Sequence, residues 1–277
     1  MVEQVLEKEV IEIEKQIKPK KYFRILGLTV WRLFAYFIIY SFIGFVIETL
    51  FGLAKYGVLE SRRSFIYGPF CAIYGVGAVI MILSLQYFKK NHITLFVGGC
   101  AVGSITEYLV SLIGELILHV KWWDYSQMPF NINGRICLLY AIFWGLLGLV
   151  LMISINPRID KLINFIKTKI LTNILQIFVV IGTIVMLIDC IVTAVALNYF
   201  MIRTIKENNI EVKNQAYIDK EYDRIYNNEI KVKIINKLFN NQIMLKTFPR
   251  LTIQNKDGQI INARDLYPEI RTYYYKL

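Results

Sequence analysis

Five stretches of this chain, near residues 33–54, 65–88, 93–118, 136–155 and 170–201, are apolar almost throughout, and each runs for twenty residues or more. A helix rising 1.5 Å per residue crosses a hydrocarbon core of about 30 Å in roughly 20 residues, so runs of this length direct the chain into a bilayer. Inside lipid every backbone amide has to bond within the protein, which helices achieve segment by segment. The expected fold class is therefore all-α: a polytopic membrane protein built as a bundle of about five transmembrane helices. A hydrophobic content of 56% adds little, because soluble domains come close to it; the clustering decides.

The remaining sequence divides around these runs into an N-terminal segment (1–29), the bundle (30–202) and a polar tail (203–277). In the first segment Val2, Leu6, Val10, Ile13 and Ile17 form an apolar stripe followed by Lys18, Lys20, Lys21 and Arg24, which predicts an amphipathic helix on the membrane surface or against a partner. A second interfacial helix is expected to link spans four and five, where Ile159, Leu162, Ile163 and Ile166 alternate with Arg158, Lys161, Lys167 and Lys169 and Pro157 marks the start. In the tail, residues 215–239 read as a polar helix, and residues 251–263 read as a hairpin around Lys256, Asp257 and Gly258. No internal repeat stands out. The apolar runs begin beyond residue 30, behind an acidic stretch, so no signal peptide is expected.

Charge gives an orientation. Lys and Arg in short flanks are retained in the cytoplasm, and twelve lie on the side of the N-terminus (Lys15, Lys18, Lys20, Lys21, Arg24, Arg32, Lys89, Lys90, Arg158, Lys161, Lys167, Lys169). The opposite side has five, Lys55, Arg62, Arg63, Lys121 and Arg135, so a multi-pass plasma-membrane protein with a cytoplasmic N-terminus is expected. The net charge of +11 suits anionic lipid headgroups; no basic recognition helix or zinc pattern accompanies it, and no nucleic-acid partner is expected.

Two glutamates interrupt the apolar runs. Glu48 lies in a four-residue stripe with Tyr40, Gly44 and Gly52, and Glu107 in one with Gly99, Gly103, Ser111 and Glu115. Residues four apart share a helix face, and a charge at mid-bilayer costs roughly 2.5 to 3.5 kcal/mol, so both faces are expected to turn toward one polar place inside the bundle. The glycines Gly44, Gly52, Gly99 and Gly103 also suit close helix packing. The joining loops on that side are unusual: residues 56–74 carry Arg62, Arg63 and the turn Tyr67-Gly68-Pro69, and residues 121–137 read KWWDYSQMPFNINGRIC. Asp124, Asn131, Asn133 and Arg135 join the candidate site, with the second loop as a lid or re-entrant segment. Arg135 is the expected counter-charge for one glutamate and Arg62 or Arg63 for the other, because a guanidinium grips a carboxylate at two points. The same pairs serve equally as purely structural register marks, or the acids are protonated and hydrogen-bonded instead. Asp189, in the last span, reads as a local cap or pair.

Catalytic and metal signatures are missing. There is no GxxxxGK followed by Ser or Thr, no HExxH and no GxSxG, and the two histidines, His92 and His119, fall on opposite sides of the expected membrane. No metal, no cofactor and no enzymatic activity are expected. Cys71, Cys100, Cys137 and Cys190 occur singly, as small packing residues do.

Phe45, Glu48 and Thr49, the run IYGPFCAIYG at 66–75, the step Thr106-Glu107-Tyr108, and WWDYS with PFNINGRIC between Trp122 and Cys137 together resemble the ABC-transporter type IV permease family of small bacterial integral membrane proteins. The resemblance covers about residues 36–156. It implies a permease subunit whose export or uptake is driven by a separate ATP-binding cassette subunit. The leading expectation is accordingly a membrane permease or transport-accessory protein with an outward-facing polar pocket. A membrane enzyme acting on an envelope lipid and a non-catalytic scaffold are the alternatives, and homo-oligomerisation stays open.

Overall fold

The computed structural model describes residues 23–118 and 123–276. The expected N-terminal amphipathic helix, His119 and Trp122 lie outside the described residues. Among those described, a short β1–β2 hairpin (Arg24–Ile25, Leu28–Thr29) leads into α1, Val30–Tyr56. Then follow β3 (Val58–Glu60), α2 (Ala72–Leu85), α3 (His92–Leu118), α4 (Leu138–Val150), α5 (Asn156–Lys169) and α6 (Thr172–Glu207). The tail holds α7 (Gln215–Tyr226), α8 (Glu229–Leu238), α9 (Asn241–Thr247), the β4–β5 hairpin (Thr252–Gln254, Ile260–Asn262) and β6, Tyr273–Lys276.

The protein is mostly helical, and four of its helical stretches are long and apolar enough to cross a membrane: Val30–Tyr56, His92–Ile113, Leu138–Lys169 and Thr172–Glu207. Their outward sides carry large apolar residues such as Phe178 and Ile191, each 66% exposed, a surface that only lipid tails satisfy. The chain is a multi-pass membrane protein. The second expected span is the exception. Its helical part is a shorter apolar helix, Ala72–Phe88 including a terminal 3-10 turn, and residues 61–71 ahead of it are irregular. Hydropathy alone does not separate a buried extended run from a helix.

That irregular stretch is tied to its neighbours by hydrogen bonds, with Phe65, Ile66 and Cys71 buried. The Cys71 amide donates to the Ser41 carbonyl near the middle of α1 (2.8 Å), so α2 starts beside the middle of its neighbour instead of at its end. From α6, Thr193 accepts from the Ile66 amide (3.0 Å) and Asp189 from the Tyr67 amide (3.1 Å), again half-way along a long helix. Irregular backbone at membrane depth survives when protein groups satisfy it, and this is how α2 becomes a half-helix. Gly68, at φ +77°, supplies the left-handed turn.

α1 and α6 both end toward the tail. Gly57 closes α1 in the left-handed region, its amide bonded to the Leu53 carbonyl (2.9 Å), and β3 then pairs antiparallel with β6 from the far end of the chain. The tail core, including Ile218, Ile225, Ile235, Met244, Leu245 and Ile253, is continuous with Phe200, Ile202 and Ile205 of α6 and with Ile66. The sequence boundary at 202/203 thus lies within α6, whose last turns belong to the tail core. At the opposite end α5 is docked on α1 by Arg32 and Asp160 (2.6 Å), with Tyr36 also donating to Asp160, and a single π turn, Leu151–Ile155, joins it to α4.

Candidate functional site

Glu107 occupies the α3–α4 hairpin. Gly103, one turn before it, and Gly99 remove the side chains that would hold α4 away: a Cβ on Gly99 would lie 3.0 Å from the Gly145 Cα, and one on Gly103 would overlap the Trp144 side chain. Trp144 packs over Gly103 and donates its Nε1 to Glu107 Oε2 (2.9 Å). The second oxygen, Oε1, accepts from the Tyr125 hydroxyl (2.9 Å), so a group from the loop and a group from α4 meet on one carboxyl. Glu107 is 8% exposed. Burial, together with the neighbouring carboxyl, pushes the Tyr125 phenol above its ordinary range, so Tyr125 stays a donor.

The loop over this carboxyl is ordered by its own polar residues. Asp124 Oδ1 accepts from the Ser126 amide (3.0 Å) and from its hydroxyl; Asn131 donates to the Met128 carbonyl (2.9 Å) and accepts from the Gly134 amide (3.1 Å). Asn133 donates to the Tyr108 hydroxyl (2.9 Å). Arg135 reaches Ser111, one turn beyond Glu107, at 3.2 Å and lies over the Tyr108 ring, while its carbonyl accepts from Trp123 Nε1 (2.9 Å). Tyr125 stacks on Tyr140 of α4, ring centres 4.6 Å apart. Asp124, Asn131, Asn133, Arg135 and Glu107 thus form one assembly, a cap of loop on hairpin.

Glu48 sits elsewhere, in the α1–α2 hairpin. Tyr74, in the first turn of half-helix α2, packs over Gly44 and donates its hydroxyl to Glu48 Oε1 (2.6 Å). The partner is aromatic here too. Neither glutamate therefore takes the arginine that a charge count suggests: Glu48 is held by Tyr74, and Glu107 by Tyr125 and Trp144. The structure places the two acids in separate hydrogen-bond networks, one per hairpin.

Arg62 and Arg63 face the tail. Arg62 fits into the space left by Gly52, pairs with Glu60 (3.0 Å) and lies over Tyr56; Arg250, from the tail, also pairs with Glu60 and stacks on the Tyr56 ring at 3.6 Å. Arg63 donates to Thr247 of α9 (2.9 Å). With its side chain 1% exposed, Glu60 anchors this joint, and sequence reasoning passed over it. One of its two partners, Arg250, lies 190 residues away, beyond the reach of any spacing rule. Asp189 pairs locally, accepting from the Thr193 hydroxyl (3.2 Å), and it also accepts from the Tyr67 amide, a partner that carries no sequence signal.

Among the described residues no group of three or more His, Cys, Asp or Glu is placed to hold a metal ion. The hairpins, half-helix and loop that carry these contacts all fall within residues 35–194, which match the family described as Putative ABC-transporter type IV. The chain belongs to this family. The match covers all four long helical stretches in whole or part and stops inside α6, so the tail lies outside it. No curated protein and no solved structure matches the chain. Membership in the ABC-transporter type IV family together with four membrane-length helical stretches makes this a transport-related membrane protein.

Proposed function

We propose that the protein is a permease or transport-accessory subunit of the plasma membrane. It works with a separate ATP-binding cassette subunit and carries its basic end, with α5 and the N-terminus, in the cytoplasm. The tail and the loop 123–137 then lie outside. The observation that carries this reading is Glu107: an acid 8% exposed in a membrane-length helix, bonded by two neutral donors and, among the described residues, by no cation. Intramembrane acids of this kind belong to solute or proton paths.

In this reading Tyr125 is the latch of the outer loop. A cationic or zwitterionic solute, or a proton, reaching Glu107 competes with the Tyr125 hydroxyl and loosens the loop, whereas Trp144 keeps the acid aimed. Glu48, at the half-helix, is the second acid of the path, since broken helices mark binding regions in many transporters. Arg135 holds the loop rather than the solute, and Arg62 and Arg63 keep the tail docked over the exit. No reaction is assigned to the chain.

The test is Glu107→Gln in the full-length protein, purified from native membranes and reconstituted. Glutamine keeps a carbonyl for Trp144 and an amide for Tyr125, so the hairpin is retained. Co-purification of an ATPase is expected with both forms, and only the wild type should stimulate its ATP turnover on solute addition. Equal stimulation by the glutamine form removes Glu107 from the path, and failure of any ATPase to co-purify removes the permease assignment.

A further inference from the structure

At the end of the bundle opposite the tail, the first turns of α1 and α6 leave a groove of about 420 Å³ open to the side. Phe23, Trp31, Ile177 and Ile181 form its apolar wall, while Thr29 and Gln176 stand at its polar end. Phe23 is 76% exposed and Ile177 58%, so the wall is unsatisfied by protein among the described residues. The Gln176 amide nitrogen is buried and finds no hydrogen-bond partner there. A buried amide left so is destabilising, and an ester carbonyl is the acceptor a lipid offers at this depth.

Charge selects among lipids. Lys167, half-buried on α5, holds its ammonium 5.2 Å from the ring centre of Trp31, one of the residues that line the groove. α5 carries Arg158, Lys161, Lys167 and Lys169 against one acid, Asp160, and that acid is already paired with Arg32. A cation fixed over a tryptophan beside an apolar slot has the form of a headgroup site, with tail, ester and phosphate levels in order. We propose that this groove holds an anionic phospholipid as a resident ligand: acyl chain along Ile177 and Ile181, ester carbonyl on Gln176, phosphate on Lys167. The assignment is independent of the transport path at Glu107.

Trp31 is a built-in reporter. The full-length protein and its Trp31→Phe variant are reconstituted in phosphatidylcholine vesicles containing a minor fraction of either phosphatidylglycerol or phosphatidylcholine brominated near the ester end of the chain. The fluorescence lost in Trp31→Phe isolates the groove signal. Brominated phosphatidylglycerol should quench it with a relative affinity roughly fivefold above brominated phosphatidylcholine, the gain expected of one basic side chain at an anionic lipid. Lys167→Gln, on the surface of α5, should bring the two lipids level, with circular dichroism verifying the fold.

Equal quenching of the wild type by both lipids would overturn the proposal, leaving only a solvating lipid belt. So would a preference that survives Lys167→Gln. If both lipids quench weakly and deletion of residues 1–22 raises the quenching, the chain's own N-terminal segment fills the groove, and the lipid assignment falls.

Discussion

The α1–α2 and α3–α4 hairpins solve one problem with the same local device and different covers. Ile43-Gly44-Phe45-Val46-Ile47-Glu48-Thr49-Leu50 and Val102-Gly103-Ser104-Ile105-Thr106-Glu107-Tyr108-Leu109 align as apolar-Gly-x-apolar-x-Glu-x-Leu, and both α1 and α3 run toward the tail end. In each, the glycine receives an aromatic ring from the returning helix, and that ring's polar atom bonds the glutamate one turn on. The covers diverge. Glu107 gains a second donor from an ordered loop and a backbone-close α3–α4 crossing at Gly99 and Gly145; Glu48 has a single donor beside a half-helix whose own backbone leans on α6. The lesson is that a Gly-x-x-x-Glu step sets where an acid is aimed, while the following loop sets how far it is sealed.

The sharpest break of this comparison is at the crossings. A Cβ at Gly99 would lie 3.0 Å from the Gly145 backbone, whereas one at Gly44 would lie 2.4 Å from the Tyr74 Cβ, an atom that stays in place when the ring rotates. Gly44→Ala is expected to cost about 3 kcal/mol in unfolding measured in nanodiscs, at the upper end of overpacking, and Gly99→Ala about 1 kcal/mol. Equal losses would mean that the two hairpins are packed alike. Next come the acids. Glu107→Ala strands both the Trp144 and the Tyr125 donor and should cost about 2 kcal/mol, while Glu48→Ala strands one and should cost about 1 kcal/mol. A larger effect at Glu48 would reverse the ranking of the two covers.

Much of this was legible beforehand, and the failures share a cause. The stripes Tyr40-Gly44-Glu48-Gly52 and Gly99-Gly103-Glu107-Ser111 are readable because helical spacing is a local property, though they do not meet in one polar place, and the tail hairpin at Lys256-Asp257-Gly258 follows from turn chemistry. Partner choice was not local. Arg62, Arg63 and Arg135 looked like the natural counter-charges of Glu48 and Glu107, yet Arg62 serves Glu60 and Arg63 serves Thr247, on a tail whose docking no spacing rule foretells. Inside lipid a neutral hydroxyl or indole donor satisfies a carboxyl without bringing in a second charge to be desolvated, so aromatic partners displace ionic ones. The internal likeness of the two hairpins escaped notice because only Gly, Glu and Leu recur identically, with everything between them free to vary.

Asp189 tests the half-helix directly. Asp189→Ala releases the Tyr67 amide and should cost about 1 to 2 kcal/mol, with the loss concentrated in residues 61–71. Cys71 is 7% exposed and reports on that segment. In a background without the other three cysteines, maleimide labelling of Cys71 should be slow in the parent and markedly faster in Asp189→Ala. Unchanged labelling would show that the Asp189–Tyr67 bond does not hold this segment, which would make the two hairpins more alike than the bonds to α6 suggest.

The smallest expected effect lies at the latch and carries a pH signature. Tyr125→Phe removes one of the two donors on Glu107 and should cost about 1 kcal/mol, leaving the Trp144 bond in place. Because burial and the adjacent carboxyl raise the Tyr125 phenol in the folded protein, its contribution is fully present below the unfolded tyrosine value of about 10 and declines as pH rises beyond it. The difference in stability between wild type and Tyr125→Phe should therefore hold constant from neutral pH to about pH 10 and shrink above it. Stability-versus-pH curves of the two proteins, followed by Trp fluorescence, measure this. Parallel curves up to strong alkali would mean that Tyr125 rests against Glu107 without stabilising it, and Glu107 would then be held by Trp144 alone, as Glu48 is by Tyr74.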